Sequence, residues 1–91
     1  MIELITIFQA NQNWYLNKVY VNPDHMVSIT ESVKHNDLLR EGKIDLSFNS
    51  GVTFSKIKMN PTTGFDEFIV VGSPSSIMEK MNRNTKQLLK G

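Results

Sequence analysis

Asp24 and His25 are the neighbouring residues of this chain whose types most resemble a reactive pair, and they lie in the stretch VNPDHMVSITE. A carboxylate beside an imidazole suits acid-base catalysis or metal binding. A zinc site, however, needs three or more ligands at spacings such as H-x-x-x-H, and neither His25 nor His35 has them. The pair also follows Asn22-Pro23, a combination typical of turns. We therefore interpret Asp24-His25 as part of a turn.

Other residues that could do chemistry also lack partners at the required spacing. Ser50 and Ser73 adjoin glycines, but no G-x-S-x-G motif is present, and a hairpin tip and a helix cap account for them. Asp66 and Glu67 are adjacent on a predicted strand, so their carboxylates point to opposite faces. Gly72 alone does not make a phosphate-binding loop. We predict no catalytic residue, no metal site and no cofactor, and we expect a protein that is not an enzyme.

Basic and aromatic side chains form a second set of candidates. The predicted C-terminal helix is rich in cations, which suits nucleic acid or an acidic partner, although cations near a helix C-terminus are also favoured by the helix dipole. Aromatic residues beside lysines can stack on single-stranded nucleic acid, but on a small sheet they more often serve packing. The candidate nucleic-acid or partner contacts are Trp14, Lys18, Tyr20, Lys56, Lys58, Lys80, Arg83 and Lys86.

Composition narrows the class of protein. A chain of 91 residues has room for one core, so we expect a single domain over residues 1–91. The formal net charge of +1 gives no molecule-wide field towards nucleic acid or lipid, and the absence of cysteine excludes disulfides and thiolate metal sites. Neither a signal peptide nor a run of ~20 apolar residues is present, so we expect a cytoplasmic protein without membrane contact.

The first part of the chain predicts three strands. Residues 2–8 are apolar on both faces, which is typical of a strand inside a sheet. After a polar break at residues 9–13, residues 14–21 place Val19 and Val21 on one face and Lys18 and Tyr20 on the other, so the two strands predict a hairpin. Residues 26–31 form the third strand, in which Val27 and Ile29 set the buried face. The charged stretch 32–42 is predicted as a loop, with room for one helical turn at residues 36–40.

The second part predicts up to three more strands and a helix. In residues 43–49 the apolar positions Ile44, Leu46 and Phe48 alternate with polar ones, and residues 49–51 predict a hairpin tip leading to strand 52–59. The apolar parity changes along that strand, which predicts a bulge near Ser55-Lys56. Residues 65–71 suit a buried strand. Ser73-Pro74 then predicts the start of a helix that runs to about residue 89.

The stretches VYVNPDHMVSITE, KIDLSFNSGVTF and FIVVGSPSSIMEKM, taken in order, resemble the FlbD-type small proteins of flagellar operons. The resemblance covers roughly residues 19–82 and rests on short motifs. This chain has an additional segment around residues 9–16, a longer charged loop at 33–42 and an insertion, NPTTGFDE, before the last strand. The resemblance implies a small antiparallel sheet with one C-terminal helix and no known catalytic residue.

Together these features predict an α+β protein in which five or six antiparallel, mostly hairpin-connected strands pack against one C-terminal helix. The expected function is that of a small non-enzymatic binding, accessory or structural module acting through protein–protein contacts, self-association included, because a small sheet leaves edges that pairing would cover. A nucleic-acid-binding protein is the alternative. The frequent asparagines suit an AT-rich genome, so a phage gene or a bacterial assembly operon is the expected setting, with the host cytoplasm as the location for a phage protein.

Overall fold

The computed structural model describes residues 1–48, 51–63 and 67–90, with residues 63 and 84–90 described by their backbone alone. Within this part of the chain, five strands form one antiparallel sheet and two α-helices pack on it, which confirms the predicted α+β class. The elements are β1 (Ile2–Ala10), β2 (Asn13–Val21), β3 (Met26–Glu31), α1 (Val33–Arg40), β4 (Phe54–Met59), β5 (Glu67–Val71) and α2 (Pro74–Lys90). The strand order is β2-β1-β5-β4-β3.

The connection between β2 and β3 determines the shape of the sheet. These two strands are its opposite edges, yet only residues 22–25 separate them, and Pro23–His25 form a 3₁₀ turn. A flat five-stranded sheet would place its edge strands about 19 Å apart. Five fully extended residues span at most roughly 18 Å, and a 3₁₀ turn shortens that reach. The sheet must therefore curl.

The curl produces a concave face that holds the main core. Val19 and Val21 of β2 pack in the same apolar cluster as Met26 and Ile29 of β3, although the two strands are at opposite edges. Helix α2 closes this face with Ile77, which is almost fully buried, and with the partly buried Met81. The buried members of the cluster are Ile2, Leu4, Val21, Ile57, Met59, Val70 and Ile77.

The convex face carries a second core under α1 and residues 43–48. The prediction of a strand at residues 43–49 is wrong for the described residues 43–48, since β4 already has β3 and β5 as its two neighbours. No edge of β4 is left for another strand. Ile44, Leu46 and Phe48 nevertheless pack inward, against Phe54 and its neighbours, as their alternation predicted. Residues 49 and 50 of the predicted hairpin tip lie outside the described residues.

Strand β4 is covered on both faces, which explains the change of apolar parity without the predicted bulge. Phe54 faces the convex core, and Ser55, Ile57 and Met59 face the concave side. Pairing with β5 is continuous from Phe54 to Lys58. The register shift instead lies on β3, between Met26 and Ser28. Val27 is therefore exposed, whereas the sequence predicted it to be buried.

Helix α1 replaces most of the loop predicted at residues 32–42. It has two adjacent leucines, Leu38 and Leu39, which pack on the convex core, while its other side chains are largely polar. A helix of eight residues is marginal by itself in water, so its apolar contact with the sheet supplies most of its stability. The prediction of a single helix is therefore incomplete.

Helix α2 begins where the sequence predicts. The hydroxyl of Ser73 accepts a hydrogen bond from the Ser76 amide at 3.1 Å, and Pro74 occupies the first turn, where no amide donor is needed. Gly72 has a φ of 127° just before the cap, and a β-carbon there would lie 3.1 Å from the Ser76 hydroxyl. Glycine is therefore required at this position.

The predicted β1–β2 hairpin is present, with a loop reduced to two residues. Asn11 and Gln12 have φ values of 51° and 69°, the pattern of a type I′ turn, whose twist matches that of the strands. Asparagine tolerates this left-handed backbone conformation, but glutamine is strained in it. The closing pair Ala10–Asn13 extends both strands into the stretch predicted as a polar break.

Replacing Gln12 with glycine should therefore stabilise the fold. Left-handed strain of about 1–2 kcal/mol is relieved, and the greater entropy of glycine in the unfolded chain offsets part of this, so we expect a gain of roughly 0.5–1 kcal/mol in the free energy of unfolding. Urea denaturation measures the change. Gln9→Gly, at an extended position of β1, is the matched control and should lower the stability. A loss of stability in Gln12→Gly would contradict the strain.

Candidate interaction surface

Asp24 and His25 lie in the turn predicted for them. The side chain of Asn22 accepts a hydrogen bond from the Asp24 amide at 3.0 Å, and the His25 amide donates to the Asn22 carbonyl at 3.1 Å. These bonds close the 3₁₀ turn that carries the chain from one sheet edge to the other. In the described residues, no three His, Asp or Glu side chains are close enough to hold a metal ion. None of the described helices is long and apolar enough to cross a membrane.

His35 is built into the contact between α1 and the sheet. Its ring lies edge-on to Trp14 with centroids 5.9 Å apart, its centroid is 6.3 Å from that of Phe54, and its Nδ1 shares a hydrogen bond of 2.8 Å with Ser32 Oγ. Partial burial, and then the positive charges of Lys34 and Lys56, hold the pKa of His35 below its ordinary value of 6.5. The neutral ring therefore fits this apolar contact better than the charged one.

Asn36 joins α1 to the central strand through its amide side chain. The Ser32 carbonyl would be the strand partner of the Phe54 amide, but it accepts from the Asn36 amide at 3.0 Å as the helix begins. Asn36 Oδ1 takes its place and accepts from the Phe54 amide at 2.7 Å, while Asn36 Nδ2 donates to Glu31 Oε1 at 3.0 Å. The side chain thus satisfies a backbone donor that the helix start leaves without a partner.

The candidate contacts on β2 have different surroundings. Trp14 is half-buried in the convex core, and its indole nitrogen donates to the Lys43 carbonyl at 3.1 Å, so it is a packing residue. Lys18 is exposed on the same face, 3.5 Å from Glu3 across the hairpin. Tyr20 is 60% exposed beside them. Of the three, Lys18 and Tyr20 are free to meet a partner.

Lys56 and Lys58 also point from the convex face, but from β4. The register places both opposite the polar positions Thr30 and Ser28 of β3, and Lys56 lies 3.9 Å from the carboxylate of Glu67 on β5. Three strand intervals separate β4 from β2, or roughly 14 Å. The convex core under α1 lies between the two groups, so the lysines of β4 and of β2 do not form one patch.

The cations of α2 lie on the other side of the sheet. Lys80 and Arg83 are exposed on the helix that covers the concave face, and Lys80 Nζ donates to the Glu3 carbonyl at 2.9 Å. The side chain of Lys86 lies outside the described residues. The basic residues predicted as contacts are therefore distributed over two faces of the sheet.

The sequence analysis missed the apolar surface of the β1–β2 hairpin. Phe8 and Tyr15 stack across the two strands on the concave side, with ring centroids 5.6 Å apart, and both remain more than 40% exposed. Ile5, Leu16 and Tyr20 are exposed on the convex side. The composition of β2 could have indicated this surface, because apolar residues occupy both of its faces.

Strand β2 is also an edge of the sheet, paired on one side only, by β1. It has nine residues, of which Val21 alone is fully buried. An open groove of about 300 Å³ lies on the concave side, between the hairpin and Phe68 of β5. The hairpin therefore combines exposed apolar side chains, an adjoining groove and a row of backbone groups without a strand partner.

Replacing Asn36 with alanine should leave the Phe54 amide without its acceptor in a buried position. We expect a loss of about 1–3 kcal/mol in the free energy of unfolding, measured by urea denaturation. Asn82→Ala, at an exposed position of α2, is the matched control and should change the stability by less than about 0.5 kcal/mol. Equal effects of the two substitutions would show that the Asn36 side chain does not hold α1 on the sheet.

The lowered pKa of His35 should make the fold less stable in mild acid. The unfolded chain, with the ordinary pKa of 6.5, binds the proton first as the pH falls, so the free energy of unfolding should decline below about pH 6.5, until the folded form is protonated too. His35→Gln should reduce this dependence. Denaturation curves between pH 5 and 8 would test it, and an unchanged slope in His35→Gln would refute it.

Comparison with other proteins assigns no family and no function to this chain. No protein-family model matches the chain, and no curated protein or solved structure matches it significantly.

Proposed function

We propose that this chain is a small non-enzymatic module that acts through protein–protein contacts and associates with itself, with the β1–β2 hairpin as its contact surface. The observation that carries the proposal is the concentration of exposed apolar side chains on that hairpin, namely Ile5, Phe8, Tyr15, Leu16 and Tyr20. Isolated apolar residues are normal on a protein surface, but groups of them mark interaction sites, and here the stacked pair lies on the concave face and the other three residues on the convex face. Burial of this group against a partner would supply the favourable free energy of association.

Aromatic residues support this role for the hairpin. Tyrosine and phenylalanine are enriched at protein interfaces, because they bury a large area with few rotatable bonds. Phe8 and Tyr15 already restrict one another by stacking, so little further side-chain entropy is lost when a partner covers them. Lys18 and Glu3 form an ion pair beside the apolar residues, which suits the polar rim of an interface.

Nucleic-acid binding has weaker support. Such proteins collect their cations along one groove or face, where they replace the counterions of the phosphates. Here Lys18 and Lys56 each lie near a carboxylate, and Lys80 and Arg83 are on the opposite side of the sheet. Trp14, an aromatic candidate for base stacking, instead packs in the convex core. Protein–protein contact is therefore the function that these observations favour.

Removing the stacked pair should weaken self-association while leaving the fold in place. In Phe8→Thr/Tyr15→Thr, threonine retains the strand preference but removes the exposed rings, so we expect the dissociation constant of the dimer to rise about tenfold or more. Sedimentation velocity over a concentration series measures it, with circular dichroism to verify the fold.

The matched control is Val27→Thr/Val33→Thr, which removes two apolar residues that are more exposed than Phe8 and Tyr15 but lie on β3 and α1. This variant should associate like the unaltered chain. A chain that remains strictly monomeric at high micromolar concentration would contradict the proposed self-association. Equal weakening in both variants would contradict the assignment of the contact to the hairpin.

A further inference from the structure

Alternate residues of β2 direct their backbone amide and carbonyl groups towards the free edge. The geometry of the β1–β2 turn shows which residues these are. In a two-residue hairpin loop the Asn13 amide donates to the Ala10 carbonyl, so Asn13 directs its backbone groups towards β1. Thr6 Oγ1 donates to the Asn17 carbonyl at 3.0 Å, which places this carbonyl on the β1 side as well. Odd-numbered residues of β2 therefore bond to β1. The outward groups are those of Trp14, Leu16, Lys18 and Tyr20.

The other edge of the sheet is protected and β2 is not. On β3 the register shift beside Val27 interrupts the row of backbone groups, and Met78 and Met81 of α2 line a small cavity together with residues 26–29 of this strand. Bulges and covering helices are two ways in which proteins protect an edge strand. The described part of β2 has a regular register with β1 from end to end, no proline, and a single charged residue, Lys18.

We infer that β2 pairs in antiparallel orientation with β2 of a second copy, so that the two sheets become one continuous sheet. This inference rests on the proposed function and specifies its contact. The pairing would satisfy the outward amide and carbonyl groups from Trp14 to Tyr20 in both copies. A twofold axis perpendicular to the sheet relates the copies, so each residue that contributes a contact also receives one.

The sequence of β2 is compatible with this symmetry. A twofold axis at Asn17 pairs Trp14 with Tyr20 and Leu16 with Lys18 of the second copy, so the outward groups of all four residues have partners. In this register the two Lys18 side chains do not lie opposite each other, where like charges would destabilise the pair. Each Lys18 also lies 3.5 Å from Glu3 of its own chain, which reduces the repulsion that remains.

The side chains around the edge favour a second copy over an unrelated strand. The twofold axis keeps the convex face continuous with the convex face, so exposed Tyr20 of one copy lies opposite Trp14 of the other, and exposed Leu16 lies opposite Lys18. On the concave face, Tyr15 of one copy lies opposite Val19 of the other. The exposed apolar side chains of β2 thus gain cross-strand neighbours from an equivalent strand, as in an isologous interface.

Leu16→Pro tests the pairing, because the Leu16 amide points away from β1. Proline removes this outward donor, leaves the hydrogen bonds to β1 intact, and is tolerated on an edge strand. Leu16→Thr is the matched control, since it removes the same apolar side chain but keeps the amide. By symmetry two hydrogen bonds are lost, so we expect the dissociation constant to rise about tenfold or more in Leu16→Pro relative to Leu16→Thr. Circular dichroism and sedimentation velocity provide the two readouts.

Amide hydrogen exchange of the unaltered chain gives a second measurement, which does not depend on how proline is tolerated. The amides of Trp14, Leu16, Lys18 and Tyr20 should exchange fast at low concentration and slowly at high concentration. The amides of Tyr15, Asn17 and Val19 should be protected at both, because they bond to β1. A concentration-dependent, alternating pattern on β2 is the expected result.

Three outcomes would overturn the inference. Association that is equally strong in Leu16→Pro and Leu16→Thr, with no alternating protection on β2, would place the contact elsewhere and leave the proposed self-association standing. A chain that remains monomeric at high micromolar concentration would overturn the inference and the proposed self-association together. Protection of the outward amides by an added unrelated extended peptide, in a chain that remains monomeric, would assign the edge to a different protein.

Discussion

The short connection between β2 and β3 is the constraint on which the rest of the structure depends. Residues 22–25 join the two edge strands of a five-stranded sheet, and they cannot reach across it while it is flat. The sheet curls until valines of β2 and apolar residues of β3 share one cluster. This curl creates the concave face that α2 closes. It also explains why a turn occupies the Asp24-His25 stretch.

The curl leaves a convex face that a small chain must also cover. Helix α1 and residues 43–48 pack there on Phe54, whose side chain is fully buried, and the Asn36 amide replaces the strand partner that the helix start removes. Coverage of β4 on both faces makes it the centre of the fold. The hairpin β1–β2, at the far edge, receives cover over only part of its length, and its apolar residues remain exposed.

Local signals in the sequence correctly predicted the elements that are set by residues close together in the chain. The β1–β2 hairpin, the turn at Asn22-Pro23 and the Ser73-Pro74 helix start all agree with the structure. Alternation in residues 43–48 correctly identified inward side chains but not the element, since an extended segment lying across a sheet has the same pattern as a strand within it. Helix α1 was missed because eight mostly polar residues give a weak periodic signal.

The sequence by itself determined the α+β class, most of the strands and the turn at Asn22-Pro23. Tertiary structure alone decided which strands are neighbours, and therefore that residues 43–48 find no vacant edge on β4 and that the shift of register belongs to β3 rather than β4. It also separated the lysines of the two faces and left β2 uncovered. The physical reason is that strand pairing joins residues distant in sequence. The pleat of a strand determines the direction of its side chains, but it does not specify the partner beside it.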